Sequence, residues 1–288
     1  MERNNPTVLC LNEIKTDVEK IDKKMLSAKV LPGYTQYWNC SKAKKGYSGT
    51  AIFTKVKPVS VNFDFGTKHI AEGRSITMEF EKFILVATYV PNASDGLKRL
   101  DYRVNEWDVD FNAYLKELES SKQKPVVLAG DLNVAHNEID IYDASHKDKT
   151  PGYTPEERKS FVKLLESGYT DTYRFMYPES VQYTFWSARQ NLRPLNRGWR
   201  LDYFLLSSDY ESKYNIELID STIDDRQMGS DHCPIALRLR LPEIGEAEDR
   251  ANEYAVVQSM QAVSISQDYT QTVDKNQDDQ EEEKKESS

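Results

Sequence analysis

Residues 124–133 read KPVVLAGDLN. Pro125 to Ala129 are apolar at successive positions instead of alternate ones, the pattern of a strand covered on both faces. A chain with such a strand must stack layers on either side of it. The run then stops at Gly130 and Asp131, with Asn133 two positions on. Polar groups at the end of a buried strand are held by a rigid mount, where loops and ligands meet in layered folds.

Other runs repeat the theme. Strand-like stretches lie at 7–13 (TVLCLNE), 49–55 (GTAIFTK), 75–90 (SITMEFEKFILVATYV), 200–207 (RLDYFLLS) and 233–241 (CPIALRLRL). In the last, Ile235, Leu237, Leu239 and Leu241 alternate with Ala236, Arg238 and Arg240, so one face is buried and the other partly wet. Helical spacing of Trp107, Phe111, Tyr114, Leu115 and Leu118 predicts a helix within 99–122. A second helix is predicted over 154–168, with Thr154 as N-cap, Pro155 at the first turn, Glu157 three after the cap and Gly168 as the stop. Strands mixed with helices in this order imply an α/β layered domain over residues 1–242.

The formal net charge of −9 arises wholly from residues 243–288, and the rest of the chain is balanced. That segment ends DKNQDDQEEEKKESS, too polar to bury a core, and reads as a disordered acidic tail. Within it, 253–263 (EYAVVQSMQAV) could form a short helix. The tail is solvating by default, with docking of a protein partner or weak self-inhibition of DNA binding as alternatives. No apolar run reaches the length of a membrane span, and MERNNPTVLCLNE lacks the pattern of a signal peptide. Three cysteines without metal spacing fit reduced thiols acting as small apolar fillers in an intracellular protein.

The candidate chemistry sits at strand ends. Glu13 follows TVLCLN; Tyr89 and Asn92 follow FILVAT; Asp131 and Asn133 follow PVVLAG; Asp202 opens DYFLLS; Asp231 and His232 precede CPIALRLRL. Singly, each has an ordinary reading as a turn or cap residue. Together they suit phosphodiester hydrolysis. Hard oxygen ligands such as Glu13, with Asp231 or Asp131, suit Mg²⁺. Asp131 could deprotonate water, Asn133 could position it, and His232, kept charged by an aspartate, could donate to the phosphate.

The stretches LCLNEIK, GYSGTAIFTK, EGRSITMEF, TYVPNAS, GLKRLDYR, GDLNVAHNEIDIYD, GYTPEERKSF, YTFWSARQNLRPLNRGWRLDYFLLS and MGSDHCPIALRL span Val8 to Leu241. They closely resemble the exonuclease III-like apurinic/apyrimidinic (AP) endonucleases of the endonuclease/exonuclease/phosphatase superfamily. GDLN and SDH are shared across that superfamily, whereas YVPN, GYTPEER and GWRLDYFL are particular to the AP endonuclease branch. The resemblance implies a DNase I-like four-layer α/β sandwich: two mixed sheets face to face, flanked by helices. It implies Mg²⁺-dependent cleavage (Mn²⁺ as a substitute) of double-stranded DNA 5′ to abasic sites, with 3′-phosphodiesterase or 3′–5′ exonuclease work as further activities. The expected agent is a monomer, nuclear in a eukaryote and cytoplasmic otherwise.

The resemblance also distributes roles. Tyr89, Asp131, Asn133, Asp202 and His232 form the catalytic set. Glu13, Asp131, Asn133, Asp231 and His232 form the metal set. Asn92 lies at the phosphate, and Phe185, Trp199 and Leu201 form an apolar pocket for the flipped-out abasic sugar. Tyr47, Arg74, Arg99, Arg103 and the stretch QNLRPLNRG would contact the DNA backbone. Trp186 is read as core packing. The family normally opens with a W-N-x-N/D-G strand before L-C-L-x-E, and this chain starts at the second strand. The chain is therefore expected to be N-terminally truncated, with a gap beside LCLNE that nothing later in the sequence fills. Asp95 stands where the family often carries a DNA-contacting arginine. Two other functions share part of the pattern: a DNA-binding or scaffold module that lost its first strand, and a superfamily phosphatase.

Overall fold

The computed structural model describes residues 5–21, 31–242 and 253–260. Two six-stranded mixed sheets face each other. The first contains β1 (Val8–Asn12), β2 (Thr35–Asn39), β3 (Thr50–Thr54), β10 (Glu217–Ile223), β11 (Ile235–Arg240) and β12 (Glu253–Met260), in the order β10-β11-β12-β1-β3-β2. The second contains β4 (Ser60–Phe63), β5 (Ser75–Glu79), β6 (Ile84–Tyr89), β7 (Val126–Asp131), β8 (Tyr169–Asp171) and β9 (Asp202–Ser207), in the order β4-β5-β6-β7-β9-β8.

The apolar run of KPVVLAGDLN is β7, inside the second sheet and buried at every position. Its alternate residues serve two cores. Val127 and Ala129 face the first sheet, among Val8, Cys10, Ile52, Leu237 and Val256. Val126 and Leu128 face outward, under Trp107, Phe111 and Leu115 of the predicted helix and Phe161 of the next. The helices are α1 (Asp108–Lys122), entered through a wider turn at Tyr102–Trp107, and α2 (Pro155–Glu166). The Thr154 and Glu157 box at the start of α2 forms as predicted, with Glu157 N donating to Thr154 Oγ1 at 3.2 Å. A five-residue helix, α3 (Thr172–Met176), follows β8, capped by Asp171. The outer face of the first sheet is covered by Ile14, Ile21, Leu31 and Tyr34. Cys10, Cys40 and Cys233 are free and buried. No helix among the described residues is long and apolar enough to cross a membrane.

The sequence reading of 243–288 as a disordered tail with a short helix at 253–263 is corrected. Residues 253–260 are β12, an interior strand, parallel to β1 and antiparallel to β11. Hence the ordered domain does not end at residue 242, and the gap expected beside LCLNE is filled from the other end of the sequence. The physical reason is backbone demand. An interior sheet position offers two rows of N–H and C=O groups, and these outweigh the weak helical pattern of EYAVVQSMQAV. The remaining tail lies outside the described residues.

Candidate active site

Gly130 decides how close β6 and β7 come. A Cβ on it would lie 1.9 Å from the Thr88 carbonyl oxygen. With glycine there, Tyr89 pairs with Asp131 in the parallel register, and Asp131 pairs with Asp202 in the antiparallel one. Three of the expected residues thus form one row across β6, β7 and β9. Gly130→Ala must push β6 and β7 apart, so we expect a loss of at least about 1–3 kcal/mol in denaturant unfolding, together with lost activity. Wild-type stability in that variant would contradict the close approach.

The loops after these strands lock together. Asn133 adopts a left-handed φ of +48°, which asparagine tolerates. Its backbone N–H donates to Asp131 Oδ1 at 2.8 Å, and its Nδ2 donates to Val90 O at 2.8 Å. Its Oδ1 accepts from Asn92 Nδ2 at 2.8 Å. Asp131 is buried, and burial, then the nearby Asp202, pushes its carboxyl pKa up to about 7; His232 and the Asn133 N–H pull the other way.

His232 Nδ1 lies 2.7 Å from Asp202 Oδ2. Burial disfavours a charged imidazole there, but Asp202 first, then Asp131 and Asp231, outweigh it and raise its pKa to about 9. At neutral pH His232 is therefore an imidazolium with Nδ1 committed to Asp202, which leaves Nε2–H for a substrate. Asp231 is half-buried; its backbone oxygen accepts from Trp186 N at 2.8 Å. Asp202 Oδ1 accepts from Gln258 Nε2 at 3.0 Å.

Glu13 follows β1 at a φ of +53°, an uncommon conformation for glutamate that holds it at the strand end. It pairs with Lys15 at 2.9 Å and hydrogen-bonds the Tyr89 phenol. Burial, then Glu13 and Asp131, raises the Tyr89 pKa well above its ordinary value, so the phenol stays protonated. Asn12 Nδ2 crosses the sandwich to Thr88 O at 2.9 Å, while its Oδ1 is buried without a partner among the described residues.

Phe185, Trp199 and Leu201 gather in one apolar cluster with Ala135, Ile141 and Tyr153. Backbone bridges link Trp199 to Ile141 and to Phe185, and Phe185 to His232. The Phe185 ring centroid lies 4.9 Å from that of His232. Trp186 belongs to the core between the sheets.

Two expected DNA contacts are corrected. Arg74 is 2% exposed, and its guanidinium donates to Glu72 Oε2 at 2.6 Å, Tyr89 O at 3.0 Å and the Tyr47 hydroxyl at 2.9 Å. It buttresses Tyr47 and Tyr89 from behind. Arg103 is 3% exposed and holds Pro91 O at 3.1 Å and Leu132 O at 2.9 Å, tying the β6 and β7 loops together. An arginine rich in donors satisfies several carbonyls at once, a buried use that its charge conceals in sequence. Arg99 and Tyr47 remain partly exposed, and Asn191, Leu195, Asn196 and Arg197 of QNLRPLNRG are exposed. Asp95 is exposed in the loop after β6.

The five residues expected to bind metal do not form a closed ligand shell: no three His, Cys, Asp or Glu side chains among the described residues converge closely enough to hold an ion. The donors still fit a hard cation. Glu13 is half-open and close to Asp131, whose repulsion from Asp202 and Glu13 a cation would relieve, and Asn12 Oδ1, in the preceding residue, is buried with no partner among the described residues. Mg²⁺ commonly needs only one or two carboxylates, its other positions going to water and phosphate oxygens.

Sequence reading missed Glu72, which joins Arg74 to Arg99, and Arg200, a fully buried guanidinium. The charge alternation in EGR hints at the first; no local signal marks the second.

A model described as the endonuclease/exonuclease/phosphatase family matches residues 1–232. The chain belongs to this family. It is a family of metal-dependent nucleases. A DNA repair nuclease, APEX1, of Danio rerio is 49% identical over 244 residues, covering 83% of this chain and 75% of that protein. An exodeoxyribonuclease of Bacillus subtilis is 38% identical over 243 residues, covering 84% and 91%. The crystal structure of the AP endonuclease LMAP from Leishmania major superposes with a TM-score of 0.73 at 34% identity, covering 84% of this chain and 80% of that one. The two mixed sheets with helices are the DNase I-like arrangement that these relatives share with it.

Proposed function

We propose that this protein is a Mg²⁺-dependent DNA repair hydrolase that cuts double-stranded DNA immediately 5′ to abasic sites. The observation that carries this reading is the row Tyr89, Asp131, Asp202 across three strands, with His232 on Asp202 and the Phe185–Trp199–Leu201 cluster beside that imidazole. The row supplies hydrolytic groups; the cluster supplies an apolar recess next to them, suited to a sugar that carries no base.

Each side chain has one task. Asp131 takes the proton of the attacking water, and a carboxyl pushed up to about 7 is a stronger base than an ordinary carboxylate. Asn133, fixed by Asn92 and Val90, aims Asp131. His232, held charged by Asp202, donates through Nε2 to a non-bridging phosphate oxygen. The Tyr89 phenol, kept protonated and hydrogen-bonded to Glu13, would turn its hydroxyl to the phosphate. Mg²⁺ held by Glu13 would neutralise charge developing on the phosphate. Arg99 and the exposed QNLRPLNRG loop position the duplex through its phosphates.

The test is a duplex oligonucleotide with one stable abasic analogue. The expected product is a single nick 5′ to the analogue, abolished by a chelator and restored by Mg²⁺. A soluble phosphoester in excess should not compete. Strong competition would indicate a phosphatase, and tight binding without a nick would indicate a DNA-binding module. Within the same assay, Phe185→Ala is expected to leave DNA binding largely intact while lowering incision about 10-fold, because the recess beside His232 loses a wall.

A further inference from the structure

β12 carries more than backbone into the sheet. Its inner row is Tyr254, Val256, Gln258. Tyr254 packs edge-on against Phe83 at 5.7 Å, and Val256 is fully buried in the core between the sheets. Gln258 follows on the same face, 1% exposed, opposite Cys10 of β1 and Ile235 of β11. Thr7 N donates to Ala255 O at 2.8 Å, which pins the strand at its start.

A carboxamide between two apolar sheet faces is costly unless it is paired. Gln258 is half paired. Its Nε2 donates to Asp202 Oδ1 at 3.0 Å, and its Oε1 has no partner among the described residues. A residue present only for packing would be apolar there. The one bond it makes crosses from the first sheet to the second and ends on the carboxylate whose other oxygen holds His232 Nδ1 at 2.7 Å. Asp202 is therefore gripped from two sides, by the imidazole at the start of β11 and by the amide of β12.

We propose that Gln258 is a positioning residue of this site: β12 carries its carboxamide through the sandwich to fix the rotation of Asp202, and so to aim His232. The proposal rests on the hydrolase reading above for what is being aimed, but the contact itself is independent of it. It gives residues 253–260 a functional role that the acidic character of the surrounding segment conceals.

The experiment uses the full chain and its Gln258→Met variant, which keeps side-chain length and removes the donor. Methionine removes an unpaired oxygen but also the donor to Asp202 Oδ1, two effects that oppose each other, so the unfolding temperature should change little. The kcat for incision of the abasic duplex is expected to fall about 10- to 100-fold with KM unchanged, as for a displaced catalytic group. A kcat within twofold of wild type in a folded variant overturns the proposal. A second readout needs neither activity nor that variant. The side-chain amide resonance of Gln258 should exchange slowly and move when Asp202 is replaced in Asp202→Asn. An amide that exchanges freely and ignores Asp202→Asn overturns the proposal whatever the kinetics show. A wild-type chain with the protected amide but no incision instead defeats the hydrolase reading and leaves the contact standing.

Discussion

Asp131→Asn is expected to lower Mg²⁺-dependent incision about 10²- to 10⁴-fold, the range of a general base. The substitution keeps shape and nearly all hydrogen bonds. Asn133 N can still donate to the retained oxygen at the position of Oδ1, and the row with Tyr89 and Asp202 is preserved. What disappears is the proton acceptor. The same change removes one of the carboxylates that raise the His232 pKa, so the imidazolium becomes easier to deprotonate in the variant. Binding to an abasic duplex should remain within a few-fold of wild type. Stability should hold or improve, since a buried carboxylate crowded by Asp202 is costly. Measuring kcat, Kd and the unfolding midpoint on one preparation separates these effects. Incision within tenfold of wild type would remove Asp131 from the role of base.

Arg200→Met should produce the largest loss of stability, about 3–5 kcal/mol, the usual result of removing one partner from a buried ion network. Arg200 is fully buried, with Nε on Asp140 Oδ1 at 2.7 Å and Nη2 on Asp171 Oδ2 at 2.7 Å. Its guanidinium lies 4.4 Å from the centre of the Tyr203 ring. Methionine would fill much of the space, take from Asp171 its Arg200 partner and leave Asp140 with Arg174 as its remaining arginine. Activity should fall as well, because Arg200 lies between Trp199 and Leu201 in sequence, and its N–H donates to Asp140 O at 2.8 Å.

The pH dependence of that loss follows from Asp140. Burial alone would raise its pKa, but Arg200 and Arg174 outweigh burial and lower it. A depressed folded-state pKa contributes stability that is present above the unfolded value, about 3.9, and fades as pH falls through the folded one. The gap between wild type and Arg200→Met should therefore be full near pH 7 and narrow below about pH 4. Adding Asp140→Asn to Arg200→Met should recover part of the loss, which a double-mutant cycle on the unfolding midpoints would measure. Additive losses would mean that the two side chains do not depend on one another.

The interior strands and their polar ends were legible because local chemistry and tertiary role agree there. β1, β3, β5, β6, β7, β9 and β11 all fall within the strand-like runs, and Glu13, Tyr89, Asp131, Asp202 and His232 sit where those runs start or stop. A strand buried on both faces has to be apolar throughout, so an acid at its end stands out. The α2 cap was equally plain, since Thr154, Pro155 and Glu157 act within one turn.

The strands that escaped the sequence reading are of two kinds. β2, β4, β8 and β10 are the four sheet edges, half-exposed or short, and an edge strand needs no continuous apolar run. β12 is the opposite case, an interior strand set in an acidic segment. What makes it a strand is the pair of open backbone rows on β1 and β11, which no local pattern announces. The buried arginines follow the same logic. Arg74, Arg103 and Arg200 look like surface charges in sequence, and only the folded chain supplies the carbonyls and carboxylates that make burying them tolerable. The sequence by itself thus determined the strand-end groups and the layered frame, because burial on both faces writes itself into consecutive residues. The tertiary structure alone decided which strand completes the first sheet and what grips Asp202, because those depend on partners distant in sequence, such as β1 with β12 and Gln258 with Asp202.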